Sequence, residues 1–341
     1  MTKLKIGVIG TGSIAKYRHL VEYARNNEVE IVAVCDINQA RVVEVGTNFG
    51  AAKTFTDYND LLKEDLDAVS VCTPNYLHAP ISIAALKAGK HVLCEKPMAT
   101  SEVEADQMIE AAKNSGKTLM IAHNQRFVKS HQLAKEWIAS GKLGKVYSFR
   151  TAFGHPGPET WSAEGKDSWF FKKDEAFIGA MGDLGVHKTD LIRHILGEEI
   201  VEVAAMVETS SKKNADVDDN AVLILKTESG IIGTLAASWS YNGTEDNSTV
   251  IYAENGVLRL EDDDTFSVVY HKNDKTKEEL NLGQIQSNDE GGQDTSGVID
   301  HFVESILSGN PPLITGEEGK KSLQVILGAI TSNETKQIVK L

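Results

Sequence analysis

Two distant points of this 341-residue chain carry side chains suited to moving a proton and steadying an oxyanion. One is Cys94-Glu95-Lys96-Pro97; the other is Gly182-Asp183-Leu184-Gly185-Val186-His187. An ammonium such as Lys96 stabilises a developing alkoxide. An imidazole with an ordinary pKa of about 6.5 takes a hydroxyl proton near neutral pH. Asp183 stands four residues before His187, which on a helix puts both on one face. In that arrangement Asp183 would orient His187. The residues alone leave other readings open: a solvent-facing Glu95-Lys96 pair before a turn, or Asp183 capping a helix while His187 packs. A metal pair is a third, but no further His or Cys cluster supports it.

These side chains need elements that aim them at a common point. Residues Leu4–Ile9 read as a short apolar strand running into Gly10-Thr11-Gly12-Ser13-Ile14-Ala15 and then a helical pattern. A second apolar run, EIVAVCD, ends in Asp36, flanked by Ile37. This is the physical recipe for holding a dinucleotide. Gly10 permits the tight turn, Gly12 lets a pyrophosphate approach the backbone, and Ala15 is small enough for close helix–strand packing. The helix start offers free N–H groups to the phosphates. Asp36 would accept hydrogen bonds from the adenosine ribose and repel a 2′-phosphate, which predicts NAD over NADP. Arg41, five residues on, could reach a 2′-phosphate, so NADP stays allowed. Ligands of open parallel sheets lie beyond the carboxyl ends of the strands. Two such ends are Cys72-Thr73-Pro74-Asn75-Tyr76-Leu77-His78 and the Lys96 segment. A cis Lys96–Pro97 bond would swing the ammonium towards the cleft.

Bulk composition narrows the function classes. The chain carries 35 Lys and Arg against 49 Asp and Glu, a net charge of −14. Such a chain binds nucleic acid or an anionic membrane poorly, so neither is an expected partner. Apolar content of 41% suffices for a packed core. No apolar run approaches the roughly 20 residues that span a bilayer, and MTKLKIGVIG lacks a signal-type cleavage site. Cys35, Cys72 and Cys94 share no CxxC spacing and are expected as buried, reduced thiols, hence a cytoplasmic compartment.

Up to about residue 122, strand and helix patterns alternate as in parallel βαβ units. Ser101 with Glu104 reads as a capping box, and Gly89 and Gly116 as helix stops. The pattern then changes to a linking helix over 128–140 and a strand over 145–153. A long aromatic-rich loop follows, GHPGPETWSAEGKDSWFFKKDEAF, whose length suggests function. A helix from Gly182 or Asp183 to Gly197 precedes strand patterns at 200–209, 217–227, 231–240, 248–254, 257–261 and 265–271. The stretch 282–296 is turn-rich, and helices at about 297–308 and 316–334 close the chain. The expected α/β architecture is a doubly wound parallel sheet over 1–124, then an α+β domain over 125–341 with a large open, mostly antiparallel sheet. A second subunit covering that sheet's open face would make a homo-oligomer.

The combination GVIGTGSIA, VCTPNYLH, AGKHVLCEKPMA, HNQRF and GAMGDLGVH resembles the glucose–fructose oxidoreductase, inositol dehydrogenase and rhizopine-catabolism (Gfo/Idh/MocA) family, nearly end to end. The resemblance implies a Rossmann domain followed by an open-sheet domain, assembled as dimers or tetramers. It implies hydride transfer between NAD or NADP and a sugar, inositol or related polyol. It also implies that Lys96 touches both nicotinamide and the substrate hydroxyl, with Asp183 and His187 completing a catalytic triad. Cys72, Thr73, Pro74, Asn75, His78 and Glu95 would line the cofactor. Asn124 and Arg126 would lie near nicotinamide and substrate. Outside any family pattern, Trp161 and Trp169 of the long loop are read either as stacking on a substrate ring or as core packing. No metal is implied. The alternatives are an NAD-dependent glycoside hydrolase using transient oxidation, and a non-catalytic cofactor-sensing regulator.

Overall fold

A computed structural model describes residues 3–283 and 295–341. Most of the turn-rich stretch expected at 282–296 therefore lies outside the described residues. The first half builds a parallel sheet from β1 (Leu4–Ile9), β2 (Val29–Cys35), β3 (Lys53–Phe55), β4 (Ala68–Val71), β5 (His91–Cys94) and β6 (Leu119–Ile121), in the order β3-β2-β1-β4-β5-β6. β1 pairs in parallel with both β2 and β4, so the strand order reverses beside β1. That reversal opens a crevice at the carboxyl ends of β1 and β4, where Gly10 and Cys72 meet. Gly10 has φ +86°, and a Cβ there would stand 2.5 Å from the Cys72 carbonyl oxygen. Only glycine fits.

The second sheet contains β7 (Val146–Gly154), β8 (Ile200–Glu208), β9 (Asn220–Thr227), β10 (Ile232–Ser238), β11 (Thr249–Ala253), β12 (Gly256–Leu260), β13 (Val268–Lys272), β14 (Lys277–Leu280) and β15 (Val339–Lys340). Its order is β14-β13-β12-β11-β7-β10-β9-β8-β15. β10 runs parallel to β7, whereas the other neighbours pair antiparallel. Alternation along β9 and β10 buries Leu223, Leu225 and Leu235 on one face, in a core shared with Leu191, Ile192 and Ile195 of the helix Val186–Leu196. The other face leaves Met206, Val222, Ile224 and Ile232 more than half exposed.

The closing helices return to the first sheet. The helix Val298–Ser308 packs Val298, Ile299, Phe302 and Val303 into the core of the first sheet. Its entry is tied by Ser296 N–H to Glu22, and Asn26 donates to Asp300. The last long helix, Gly316–Thr335, gives Leu323 to the first core and Val325, Ile326 and Ala329 to the second. An apolar stripe settles wherever a matching layer is open, whatever its distance along the chain. β9 starts at Asn220 rather than 217 because Asp218 and Asp219 spend their carboxylates on neighbouring backbone N–H groups. No described helix is long and apolar enough to cross a membrane.

Candidate active site

One cleft runs from the end of β2 to the helix that carries His187, lined by both halves of the chain. At its first end, the main chain turns at Gly10 and a helical stretch begins at Ser13. A Cβ built on Gly12 meets nothing within 4 Å, so this glycine faces open cleft, while Ala15 is fully buried. Thr73 and Asn124 line the same cleft, and Thr73 Oγ1 and Asn124 Oδ1 are buried oxygens with no hydrogen-bond partner among the described residues. A cradle with space over glycine and buried acceptors awaiting donors fits a dinucleotide. Ser13, Ile14, Pro74 and the exposed Ile37 complete the wall.

Asp36 sits at the predicted strand end, but its carboxylate is already engaged. Thr11 donates from its N–H at 2.8 Å and from its hydroxyl at 3.0 Å. Arg41 grips it through Nε at 3.1 Å and Nη2 at 2.9 Å. Burial pushes the Asp36 pKa up, but these bonds outweigh it and hold the group below the usual carboxylate range. Thr11 thus acts by fixing Asp36.

At the other end, Lys96 Nζ lies 2.8 Å from Asp183 Oδ1 and 3.2 Å from the Asp183 carbonyl oxygen. The second Asp183 oxygen accepts from Trp239 Nε1 at 3.2 Å. Asp183 therefore orients Lys96, not His187. The expected shared face is altered because Met181–Gly185 forms a π-turn, wider than an α-helical one, before Val186–Leu196 begins. His187 Nδ1 is buried with no partner among the described residues. Burial, followed by the Lys96 ammonium and the His123 and Lys188 groups, drives the His187 pKa well below the usual value. That shift favours the neutral ring, whose nitrogen can accept a proton. The start of this helix is held by Asp218, which accepts from Gly179 N–H and Met181 N–H, both at 2.7 Å.

Beneath Lys96 lies a second buried pair. His19 Nε2 is 2.8 Å from Glu95 Oε1, and its Nδ1 is 3.1 Å from Ser70 Oγ. Burial opposes charge on His19, but Cys72 and Glu95 outweigh it and raise its pKa well above the usual value. The Lys96–Pro97 peptide is cis. His78 spans the two strand ends, its ring nitrogens 2.7 Å from the Pro97 oxygen and 2.8 Å from the Thr73 oxygen. It braces the two turns while lining the cleft. Asn75 likewise spends its amide on the Ala176 carbonyl at 2.8 Å. Cys35, Cys72 and Cys94 are free and buried.

Arg126 is corrected. Its guanidinium grips Asp190 at 2.8 and 2.7 Å and Glu318 at 2.9 Å, is 3% exposed, and does not line the cleft. Charge pairing inside the molecule claims it first. Trp161 and Trp169 do line the cleft, beside Phe153 and Phe170. Trp169 stacks on Phe170 with centroids 3.8 Å apart, and Trp161 meets Phe170 edge-on at 5.0 Å. Sequence reasoning missed Phe153, Gln125, Trp239 and Asn247. Trp239 follows an alternating strand directly and carried a faint signal, as did Gln125 inside HNQRF; Phe153 and Asn247 had none.

Known proteins now bear on this geometry. Residues 4–123 match a family described as an oxidoreductase family with an NAD-binding Rossmann fold, and residues 131–259 match the GFO/IDH/MocA C-terminal domain. Myo-inositol 2-dehydrogenase of Thermotoga maritima is 28% identical over 345 residues, covering 99% of this chain and 98% of that protein. Levoglucosan dehydrogenase of Pseudarthrobacter phenanthrenivorans is 30% identical, covering 71% of this chain and 69% of that one. A solved levoglucosan dehydrogenase in complex with NADH and L-sorbose is 26% identical, with a TM-score of 0.85 over 100% of this chain and 99% of that one. The chain is an NAD-binding oxidoreductase of the GFO/IDH/MocA family.

Proposed function

We propose that this enzyme oxidises a secondary hydroxyl of a sugar, inositol or related polyol with NAD. The observation that carries the reading is the convergence of Lys96, paired with Asp183 at 2.8 Å, and neutral His187 on one cleft whose far end is the glycine turn. Gly12, Ser13, Thr73 and Asn124 would hold the cofactor, which when bound supplies a hydride acceptor. His187 takes the hydroxyl proton, and returns it in reverse. Lys96 lies ready to stabilise the alkoxide, a charge that exists only as the proton leaves. Asp183 and Trp239 fix the ammonium's position. The aromatic wall of Trp161, Trp169 and Phe170 suits the apolar face of a ring. The relatives' names, an inositol dehydrogenase and a levoglucosan dehydrogenase, point to the same class of substrate.

The partner for the open sheet is a second copy of the chain, giving a dimer or tetramer. The exposed apolar stripe of Met206, Val222, Ile224 and Ile232 supports this. A panel of cyclic polyols and aldoses, with NAD and NADP in separate wells, tests the chemistry by reduced-cofactor fluorescence. The expected result is NADH accumulation with at least one polyol. Disappearance of a glycoside with no net NADH would instead select transient-oxidation hydrolysis.

A further inference from the structure

The aromatic-rich loop does more than face the substrate. It reaches back over the dinucleotide turn: Ser13 Oγ donates to the Trp161 carbonyl at 2.9 Å, and Arg41 Nη1 donates to Glu164. Glu164 belongs to the substrate half of the chain, 123 residues beyond Arg41, yet lines the adenosine end of the cleft. The Arg41 guanidinium is thereby shared between two carboxylates. Its Nε and Nη2 hold Asp36, and its Nη1 holds Glu164. Two carboxylates around one guanidinium leave a net negative charge where a ribose 2′ position would lie.

We propose that Glu164 is a cofactor-selecting residue, delivered by the substrate half, which ties up Arg41 and thereby keeps NADP out. Asp36 alone leaves a loophole. The arginine five residues later could turn from it towards a 2′-phosphate, and a guanidinium grips phosphate in bidentate fashion. Glu164 closes that loophole from the opposite side of the cleft. A 2′-phosphate brings close to two further negative charges at neutral pH. To accommodate them, Arg41 would have to leave both carboxylates, which would then face the phosphate together. NAD brings only hydroxyls, which can share the Asp36 oxygens. With Glu164 neutralised, one carboxylate and one guanidinium remain, and Nη1 is free for phosphate. The inference rests on the dinucleotide site and not on the identity of the sugar.

The test is a titration of the full chain with NADH and with NADPH, read by fluorescence and needing no substrate. Glu164→Gln should shift the affinity ratio towards NADPH by at least about tenfold, the scale of one charge-assisted hydrogen bond. In an Arg41→Ala background the same Glu164→Gln change should shift the ratio by about threefold or less, because no guanidinium is left to release. A ratio unmoved by Glu164→Gln would overturn the proposal. So would an equal shift with and without Arg41, which would mean plain repulsion. A parent that binds neither cofactor would sink the dinucleotide site itself, whereas a parent that prefers NADH but ignores Glu164→Gln would sink only this inference.

Discussion

His187 carries the sharpest expectations at the scale of single residues. Its Nδ1, unpartnered among the described residues, and its depressed pKa suit the proposed base, kept neutral by burial and by the nearby Lys96 charge. His187→Ala should lower kcat by at least about 100-fold, as loss of general acid–base help typically does. NADH binding should persist, and turnover equal to the parent's would remove His187 from its role. The pH profile follows with a definite sign. A base works when unprotonated, and a pKa well below the usual value keeps it so. The acid limb of kcat/KM for oxidation should therefore lie clearly below pH of about 6.5. A limb at that ordinary value would mean a solvated imidazole and a different base. The Lys96 turn and the His187 helix were readable in the sequence because both signatures are local, whereas their joining in one cleft came only from the family resemblance. The Asp183 partner was misread, because a π-turn changes which face a side chain shares and leaves no mark in residue spacing.

Elements decide which charges face the cleft and which hold the frame. Arg126 lies within the short 3₁₀ turn Asn124–Phe127 after β6 but points inward, onto Asp190 of the helix that bears His187 and onto Glu318 of the closing helix. It thus ties the end of the first sheet to two elements of the second half. Arg126→Ala would leave Asp190 buried beside fewer donors and should cost on the order of 3 kcal/mol of stability. Urea denaturation measures this; a raised KM with unchanged stability would restore Arg126 to the substrate. β1, β4 and β5 were legible because each is a mostly apolar run closed by a glycine or proline turn. Ser101 caps its helix through Glu104 N–H at 3.3 Å, but the Glu104 carboxylate returns to Thr100 rather than Ser101. β14 and β15 escaped notice, being short pairs at sheet edges with little alternation to display. The packing of Val298–Ser308 against the first core was equally invisible, since an amphipathic pattern says that a face is buried and not against what.

At the scale of the whole molecule, buried neutral histidines set the response to acid. Burial pushes His123 and His194 down to about 4 and His131 down to about 3. Each has a folded pKa below its unfolded value, so the unfolded chain binds more protons and stability falls as pH drops from about 6.5 towards 4. His19 acts in the opposite sense: its pKa is raised, so its contribution is complete below the unfolded value and is lost as pH climbs through the raised one. The depressed imidazoles, His187 and His91 among them, should prevail, and the urea midpoint should be lower at pH of about 5 than at about 7.5. A flat or rising midpoint would contradict their neutrality. The open sheet sets assembly: Ile224→Glu should shift the mass seen by light scattering towards the monomer, and an unchanged mass would place the interface elsewhere. The central claim is that the two halves of the chain bring one ammonium and one imidazole to a single reacting hydroxyl. A crystal structure with NADH and a polyol taken from the panel measures that most directly. The account expects one substrate oxygen within about 3.2 Å of both Lys96 Nζ and the His187 ring. A reacting carbon facing the nicotinamide while its oxygen touches neither group would contradict it.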